Sequence, residues 1–256
     1  MALLSASLIS LGAQGFQFPG TQYLRGQDVS PTFDGWAANP DGSFTLYFGY
    51  FNRNSEEEID VPLGSENTFD LGNGDQGQPS HFLAGRRWWV FKVVVPKEWP
   101  RDKRVTWTLT NRGRTNVAKG WLQPEWEVVR SGIVLTGYRD RAINHVVSAD
   151  IAPFSVTGGE AQTITLPATA TLTVKAGETV ATSDLNPRGL QIRWTHYRGP
   201  GKVTFTPAIG AYGKPPVTSE TKVSFSEAGD YRVRAIATDG AVFWVYDIDV
   251  KVKAQI

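Results

Sequence analysis

Ser43–Asn52 reads SFTLYFGYFN, and its period decides the fold class. Successive side chains on a strand point to opposite faces, so Phe44, Leu46, Phe48 and Tyr50 share one face. A helix would need apolar residues at i, i+3, i+4 and i+7, and no long stretch of the chain supplies them. Downstream, Trp88–Val95 (WWVFKVVV) repeats the alternation. Trp89, Phe91, Val93 and Val95 fall on one side, with Trp88, Val90, Lys92 and Val94 on the other. As strand neighbours, Trp88 and Trp89 are expected on opposite faces, Trp89 in the core and Trp88 outward or under a loop. Pro96 ends the run because proline cannot donate to the ladder. Arg104–Thr110 (RVTWTLT) sets Val105, Trp107 and Leu109 against threonines, the pattern of a half-buried antiparallel sheet. Asn39-Pro40-Asp41-Gly42 is a turn before the Ser43 strand, and Asn111-Arg112-Gly113 is a short hairpin between Thr110 and Arg114. Leu63–Gly85 is long, polar and glycine-rich, so it reads as a loop with a task of its own.

The rhythm breaks between Arg130 and Gln162. That stretch holds a short strand at Ile133–Leu135, then Tyr138-Arg139-Asp140-Arg141, and closes on Thr157-Gly158-Gly159. It reads as an extended linker packed on something. Strands then follow at Thr163–Leu166, Ala170–Lys175, Leu190–Tyr197, Lys202–Thr206, Thr221–Ser226, Tyr231–Thr238 and Ala241–Lys253. Seven short strands in this span fit an immunoglobulin-like sandwich, with Trp194 in place of its buried central tryptophan. Asp239-Gly240 predicts a two-residue hairpin between the last two. The expected fold is all-β: two antiparallel β-sandwich domains of immunoglobulin or fibronectin type in tandem, at 31–130 and 162–256. An apolar N-terminal arm covers 1–30 and the linker covers 131–161.

The second half resembles PKD-type, immunoglobulin-like domains of exported bacterial proteins. The resemblance rests on Leu190–Gly201 (LQIRWTHYRGPG), Val203-Thr204-Phe205, Val223-Ser224-Phe225 and Ala228-Gly229-Asp230-Tyr231, followed by Ala237-Thr238-Asp239-Gly240. It implies a sandwich used as a spacer or adhesion module. The first half resembles the leading domain of uncharacterised exported bacterial two-domain proteins. Its marks are Phe33-Asp34-Gly35-Trp36, Asn39-Pro40-Asp41-Gly42, Tyr47-Phe48-Gly49-Tyr50 with Asn52-Arg53-Asn54, and Gly120–Trp126 (GWLQPEW). That resemblance implies no activity and no catalytic residues.

Composition narrows the function classes. The 256 residues are 41% hydrophobic and 20% charged with a net charge of +1, so the chain can build cores and lacks the basic excess of a nucleic-acid binder. There is no cysteine, which excludes disulfides, thiolate metal sites and cysteine nucleophiles. Ala2–Ala13 (ALLSASLISLGA) resembles the core of a secretory signal but is too short to span a bilayer. Export to the periplasm or cell surface is expected, peripheral to the membrane.

The search for chemistry is short. His81, His145 and His196 form no close pair with metal-ligand spacing, and His196 reads as structural. No nucleophile-elbow, phosphate-loop or dinucleotide motif is present. Glu56 and Glu58 would share a face if on a strand; the Glu56–Glu58 run reads as a solvated edge. Asp70, Asn73 and Asp75 offer oxygen ligands but miss the EF-hand spacing. A hydrolase built from Glu56, Glu58, Asp75 and His81 would need those groups to converge. Arg86-Arg87 and Arg101–Arg104 (RDKR) read as solvated basic spots.

Nine tryptophans are the anomaly. Trp36, Trp107 and Trp194 fit cores; the sides of Trp88, Trp99, Trp121, Trp126 and Trp244 are open. The expectation is a non-enzymatic exported protein without catalytic residues, cofactor or metal, acting as an accessory or scaffold subunit docked on a larger envelope or membrane complex. An electron-transfer or photosynthetic assembly is among the hosts this admits. The interface candidates are Leu3, Leu4, Leu8, Phe16, Phe18, Trp88, Trp99, Trp121, Trp126, Tyr138, Arg139 and Arg141. The alternative is a carbohydrate-binding or adhesion module with coplanar exposed tryptophans. Partners are proteins or carbohydrate, not nucleic acid.

Overall fold

The computed structural model describes residues 23–128, 154–178, 189–239 and 243–255. The candidates Leu3, Leu4, Leu8, Phe16, Phe18, Tyr138, Arg139 and Arg141, the Ile133–Leu135 strand and His145 lie outside the described residues. No helix among the described residues is long and apolar enough to cross a membrane.

The first sandwich runs β1 (Val29–Ala38), β2 (Phe44–Asn52), β3 (Ile59–Asp60), β4 (Asn67–Phe69), β5 (His81–Phe82), β6 (Gly85–Val95), β7 (Val105–Asn111) and β8 (Arg114–Gly120). Its sheets are β1-β2-β6 and β4-β7-β8, with β3 paired to β5 at one end. The alternating faces bury Leu46, Phe48 and Tyr50 of β2 and Phe91, Val93 and Val95 of β6 against Val105, Trp107 and Leu109 of β7. Trp107 is the keystone. Its ring meets Phe91 edge-on at 5.0 Å and stacks on Phe69 at 5.8 Å. Its buried indole N–H donates to Asn67 Oδ1 at 3.0 Å.

One break in this alternation matters. Phe48 pairs with Phe91 but Tyr50 pairs with Arg87, so β6 carries extra residues opposite Gly49. Trp89 takes φ +48 within this bulge, a conformation rare for a bulky side chain. The bulge carries Trp89 away from Phe91 and onto Ala37, Tyr47 and Val128 outside the main core. Trp88 and Trp89 are therefore not on opposite faces; their rings lie 5.9 Å apart. The kink is held by Asp34, which is almost fully buried. Asp34 accepts from Arg86 at 2.5 Å and from the Trp89 backbone N–H at 2.8 Å. A Cβ on Gly49 would run into the Asp34 carboxylate and the Arg87 carbonyl, so only glycine fits opposite the bulge.

The second sandwich runs β9 (Phe154–Gly158), β10 (Gln162–Thr165), β11 (Ala170–Glu178), β12 (Leu190–Arg198), β13 (Val203–Thr206), β14 (Ile209–Gly213), β15 (Val217–Phe225), β16 (Gly229–Thr238) and β17 (Phe243–Lys253). Its sheets are β10-β17-β16-β12-β14 and β13-β15-β11-β9. β10 lies parallel to β17; the other pairs are antiparallel. Trp194 is buried and crosses between the sheets, its indole N–H donating to Ser219 Oγ at 2.9 Å.

Three expectations are corrected. Leu63–Gly85 contains β4 and β5 rather than being all loop. The segment 154–158 is strand, paired with β11, not linker. Ile209–Gly213 adds a further strand, its pattern hidden by Gly210 and Gly213. The Asp239-Gly240 hairpin and the Ala241 start of the last strand fall partly outside the described residues, which break off after Asp239 and resume at Phe243.

Candidate functional site at the junction of the two sandwiches

The pairing of β3 with β5 generates the site. Ile59 faces Phe82 across the ladder, and both point into the first core; Asp60 faces His81, and both point away from it. Glu58, two residues before Asp60, shares that outward side. His81 Nδ1 lies 2.7 Å from Asp60 Oδ1 and Nε2 lies 3.0 Å from Glu58 Oε2. Burial works against a charged His81 ring, but the two carboxylates outweigh it and lift the pKa to about 9. The His81 hydrogen bond holds Glu58 below the usual carboxylate range despite partial burial.

The other half comes from the end of β12. A bulge there pairs His196 with Val233 but Arg198 with Arg232, leaving Tyr197 as an extra residue. His196 is 6% exposed, and its ring stacks on His81 with centroids 4.4 Å apart. Burial, then the neighbouring His81 charge, push its pKa down to about 4. The Asp60 charge, the Arg198 backbone and the Glu58 charge act in the opposite direction without reversing the shift. His196 Nε2 is buried and has no hydrogen-bond partner among the described residues. Asp60, His81 and His196 each bring a potential ligand atom within 4.8 Å of the others.

Around this cluster the two sandwiches are pinned together by polar contacts. The turn at 73–78 is shaped from within: fully buried Gln78 donates to the Gly74 carbonyl at 2.8 Å, and Asn67 donates to the carbonyls of Val61 and Pro79. The shaped turn then presents its carbonyls to β12. Tyr197 Oη donates to Gly77 O at 2.6 Å, and Arg198 Nε donates to Gln78 O at 2.5 Å. The Arg198 fork grips Asp75 at 2.7 and 3.1 Å. Ser80 N–H donates to Tyr197 O at 3.1 Å, and Gly199 N–H to Ser80 Oγ at 3.2 Å. On the far side, Arg234 is held by Asp247, lies 3.6 Å over the Tyr197 ring, and donates to Val90 O within the β6 bulge at 2.5 Å. The bulge of the first sandwich thus supplies the acceptor for a buried cation of the second.

Arg198 first, then the Gly77 N–H, hold Asp75 below its ordinary 3.8 against slight burial. A depressed carboxylate contributes stability that is complete above its unfolded pKa and is lost as pH falls through the folded value. The junction should therefore loosen on acidification below 3.8. Asp75→Asn should lower stability at neutral pH by a small, salt-screened amount, and the gap to wild type should close in acid. Denaturation curves of both proteins at several pH values check this; a gap that persists in acid would contradict it.

The sequence-predicted residues distribute as follows. His81 is a half-buried strand residue of β5. Of the Glu56, Glu58, Asp75, His81 set, only Glu58 and His81 meet. Glu56–Glu58 is not a strand edge: Glu57 bonds Arg112 at 2.5 Å, while Glu56 lies 3.9 Å from Arg25. Asp70, Asn73 and Asp75 accept from the backbone N–H groups of Thr106, Asp75 and Gly77, so they shape the turn. Asp60, Tyr197 and Arg198 were missed. No sequence pattern marks them: β3 and β5 have two residues each, and the bulge at Tyr197 breaks the alternation of β12.

Among the tryptophans, Trp88 and Trp126 are 50% and 40% exposed, while Trp99, Trp121 and Trp244 are half-buried. Arg86 lies 3.6 Å over Trp88. The basic run is not simply solvated: Lys103 lies 4.1 Å over Trp99 and Arg104 5.1 Å over Trp121. Phe33 contacts both Trp121, at 6.5 Å, and Trp126, at 5.8 Å, so these indoles flank a phenyl ring rather than forming an open pair.

Two antiparallel sandwiches in tandem place the chain among immunoglobulin-like all-β proteins. No family model and no curated protein matches it. Among solved structures, domains 4 and 5 of the S-layer protein SbsC align over 89% of this chain and 98% of that one, at 12% identity and TM-score 0.28. The adhesin InvE of Yersinia pseudotuberculosis aligns over 87% of this chain and 58% of that one, at 10% identity and TM-score 0.27. A protein of unknown function from Porphyromonas gingivalis W83 covers 88% and 98%, at 10% identity and TM-score 0.29. Likenesses this remote carry no functional argument; the strand pairing itself defines the fold.

Proposed function

We propose that the chain is a non-enzymatic interaction protein of the cell envelope, in which two sandwiches are fixed in one orientation to hold a composite surface against a protein partner. The observation that carries this reading is the polar lock built on Tyr197, Arg198 and Arg234. A flexible spacer would join its modules by a linker with few cross-contacts. Here a shaped turn, a bulge carbonyl and buried cations secure the angle. The half-exposed indole of Trp88, clamped under Arg86, and that of Trp126 are rigid, amphipathic anchors of the kind enriched at interface centres. The finer reading is an accessory or scaffold subunit, exported and peripheral to a membrane complex. Domain limits that start the first sandwich at β1 and extend the second back to β9 belong to the same proposal.

The test is native purification in mild detergent from cells expressing the chain. The expected result is co-migration with a larger assembly, weakened at least tenfold by Trp88→Ala combined with Trp126→Ala. Migration as a lone 28.1 kDa monomer would contradict the reading.

A further inference from the structure

We propose that Asp60, His81 and His196 form a divalent transition-metal site, for zinc or a metal of similar preference, that bridges the two sandwiches. The inference goes beyond the interaction role and does not depend on it. Three observations carry it. One ligand atom from each of the three residues falls within 4.8 Å of the others, close enough for a single ion to draw them to about 2.0–2.2 Å. His196 is 6% exposed, and its Nε2 has no hydrogen-bond partner among the described residues. A buried polar atom left unpaired is costly and rare, so it needs an explanation. Glu58 lies against His81 Nε2 at 3.0 Å, where an outer carboxylate would stand if Nδ1 held the ion.

A ligating imidazole normally donates its second N–H to a carbonyl or carboxylate, which fixes the tautomer and aims the bare nitrogen at the ion. His196 offers such a bare nitrogen: Nε2 is buried without a hydrogen-bond partner among the described residues, on a ring stacked against His81. His81 differs: both its ring nitrogens face carboxylates, and an ion between Nδ1 and Asp60 would take the place of the proton shared there. Nδ1 sits on the Asp60 side at 2.7 Å, while Nε2 reaches Glu58 at 3.0 Å. With His81 ligating through Nδ1, Glu58 becomes the outer carboxylate of a carboxylate–histidine–metal triad. Two imidazoles and one carboxylate suit zinc, cobalt(II) or nickel(II) rather than calcium or magnesium, which prefer all-oxygen shells. Asp60 lies at the edge of a surface groove shared with Arg198 and Tyr231, which leaves the fourth position to water. Because His196 belongs to the second sandwich and the other two residues to the first, ion binding couples directly to the junction.

The test uses the full chain, stripped with a chelator and titrated with Co(II), then Zn(II). The expected result is one ion per chain, visible tetrahedral cobalt bands displaced by zinc, and a rise in melting temperature on loading. Asp60→Asn and His196→Gln should each weaken binding more than about 100-fold, and Glu58→Gln about 10–100-fold. Asp41→Asn, at a remote exposed turn, should leave it unchanged. Asp60 is itself half-exposed, so Asp60→Asn keeps the test decisive if His196→Gln does not fold. Absence of tetrahedral bands, or equal affinity in Asp60→Asn and wild type, would overturn the proposal. Failure here leaves the interaction reading standing, since the pull-down uses no metal readout.

Discussion

Trp107→Ala should lower the unfolding free energy of the first sandwich by about 3–5 kcal/mol, among the largest effects of any single substitution in the chain. The indole is fully buried and meets Phe48, Phe69, Phe82 and Phe91 at 5.0–6.3 Å between ring centroids. Rings from both sheets close on it, so neither can collapse into the cavity without breaking its own ladder. The substitution also orphans Asn67 Oδ1, whose amide organises the approach to the 73–78 turn. Trp107→Phe separates the two effects: it keeps most of the ring volume but loses the hydrogen bond, at a cost of about 1–3 kcal/mol. Chemical denaturation of the three proteins checks the order. A loss below about 1 kcal/mol for Trp107→Ala would show that the core is not organised around this ring.

The second large effect lies at the junction. Arg198→Ala removes the bidentate grip on Asp75 and the donor to Gln78 O in one step. Charge-assisted hydrogen bonds are worth about 1.5–3 kcal/mol each where partly buried, and the loss leaves the Gln78 carbonyl unpaired. The expected result is decoupling: one unfolding transition in the wild-type chain and two in the variant, with faster amide exchange at Ser80 and Gly199. Adding Tyr197→Phe, which frees Gly77 O, should widen the separation. Superimposable single transitions in wild type and both variants would mean that the lock contributes nothing.

Much of the fold was legible because long strands carry a long period. In β2, β7, β12 and β16 every second residue is buried over several repeats, and the run of alternate apolar residues shows it without help from the rest of the chain. The site was not legible, for the same reason inverted. β3 and β5 have two residues each, too few for any period, and their pairing alone sets His81 against Asp60. The bulges at Trp89 and Tyr197 were also silent. Each is fixed by a distant residue: Gly49 and Asp34 make room for and anchor the first, and the second stands opposite β16. Strict alternation therefore misplaced Trp89. Gln78 and Asn67 look like ordinary loop amides until their carbonyl partners are in view. Domain-level pattern is a local property of strands, whereas the junction is written in pairs of residues about 120 positions apart.

The central claim is that the two sandwiches move as one body, joined by a lock of specific polar contacts. Backbone amide relaxation on the full chain tests it most directly. A single rotational diffusion tensor should describe the amides of both hydrophobic cores, and Arg198→Ala should split it. Separate correlation times for the two cores in the wild-type protein would contradict it.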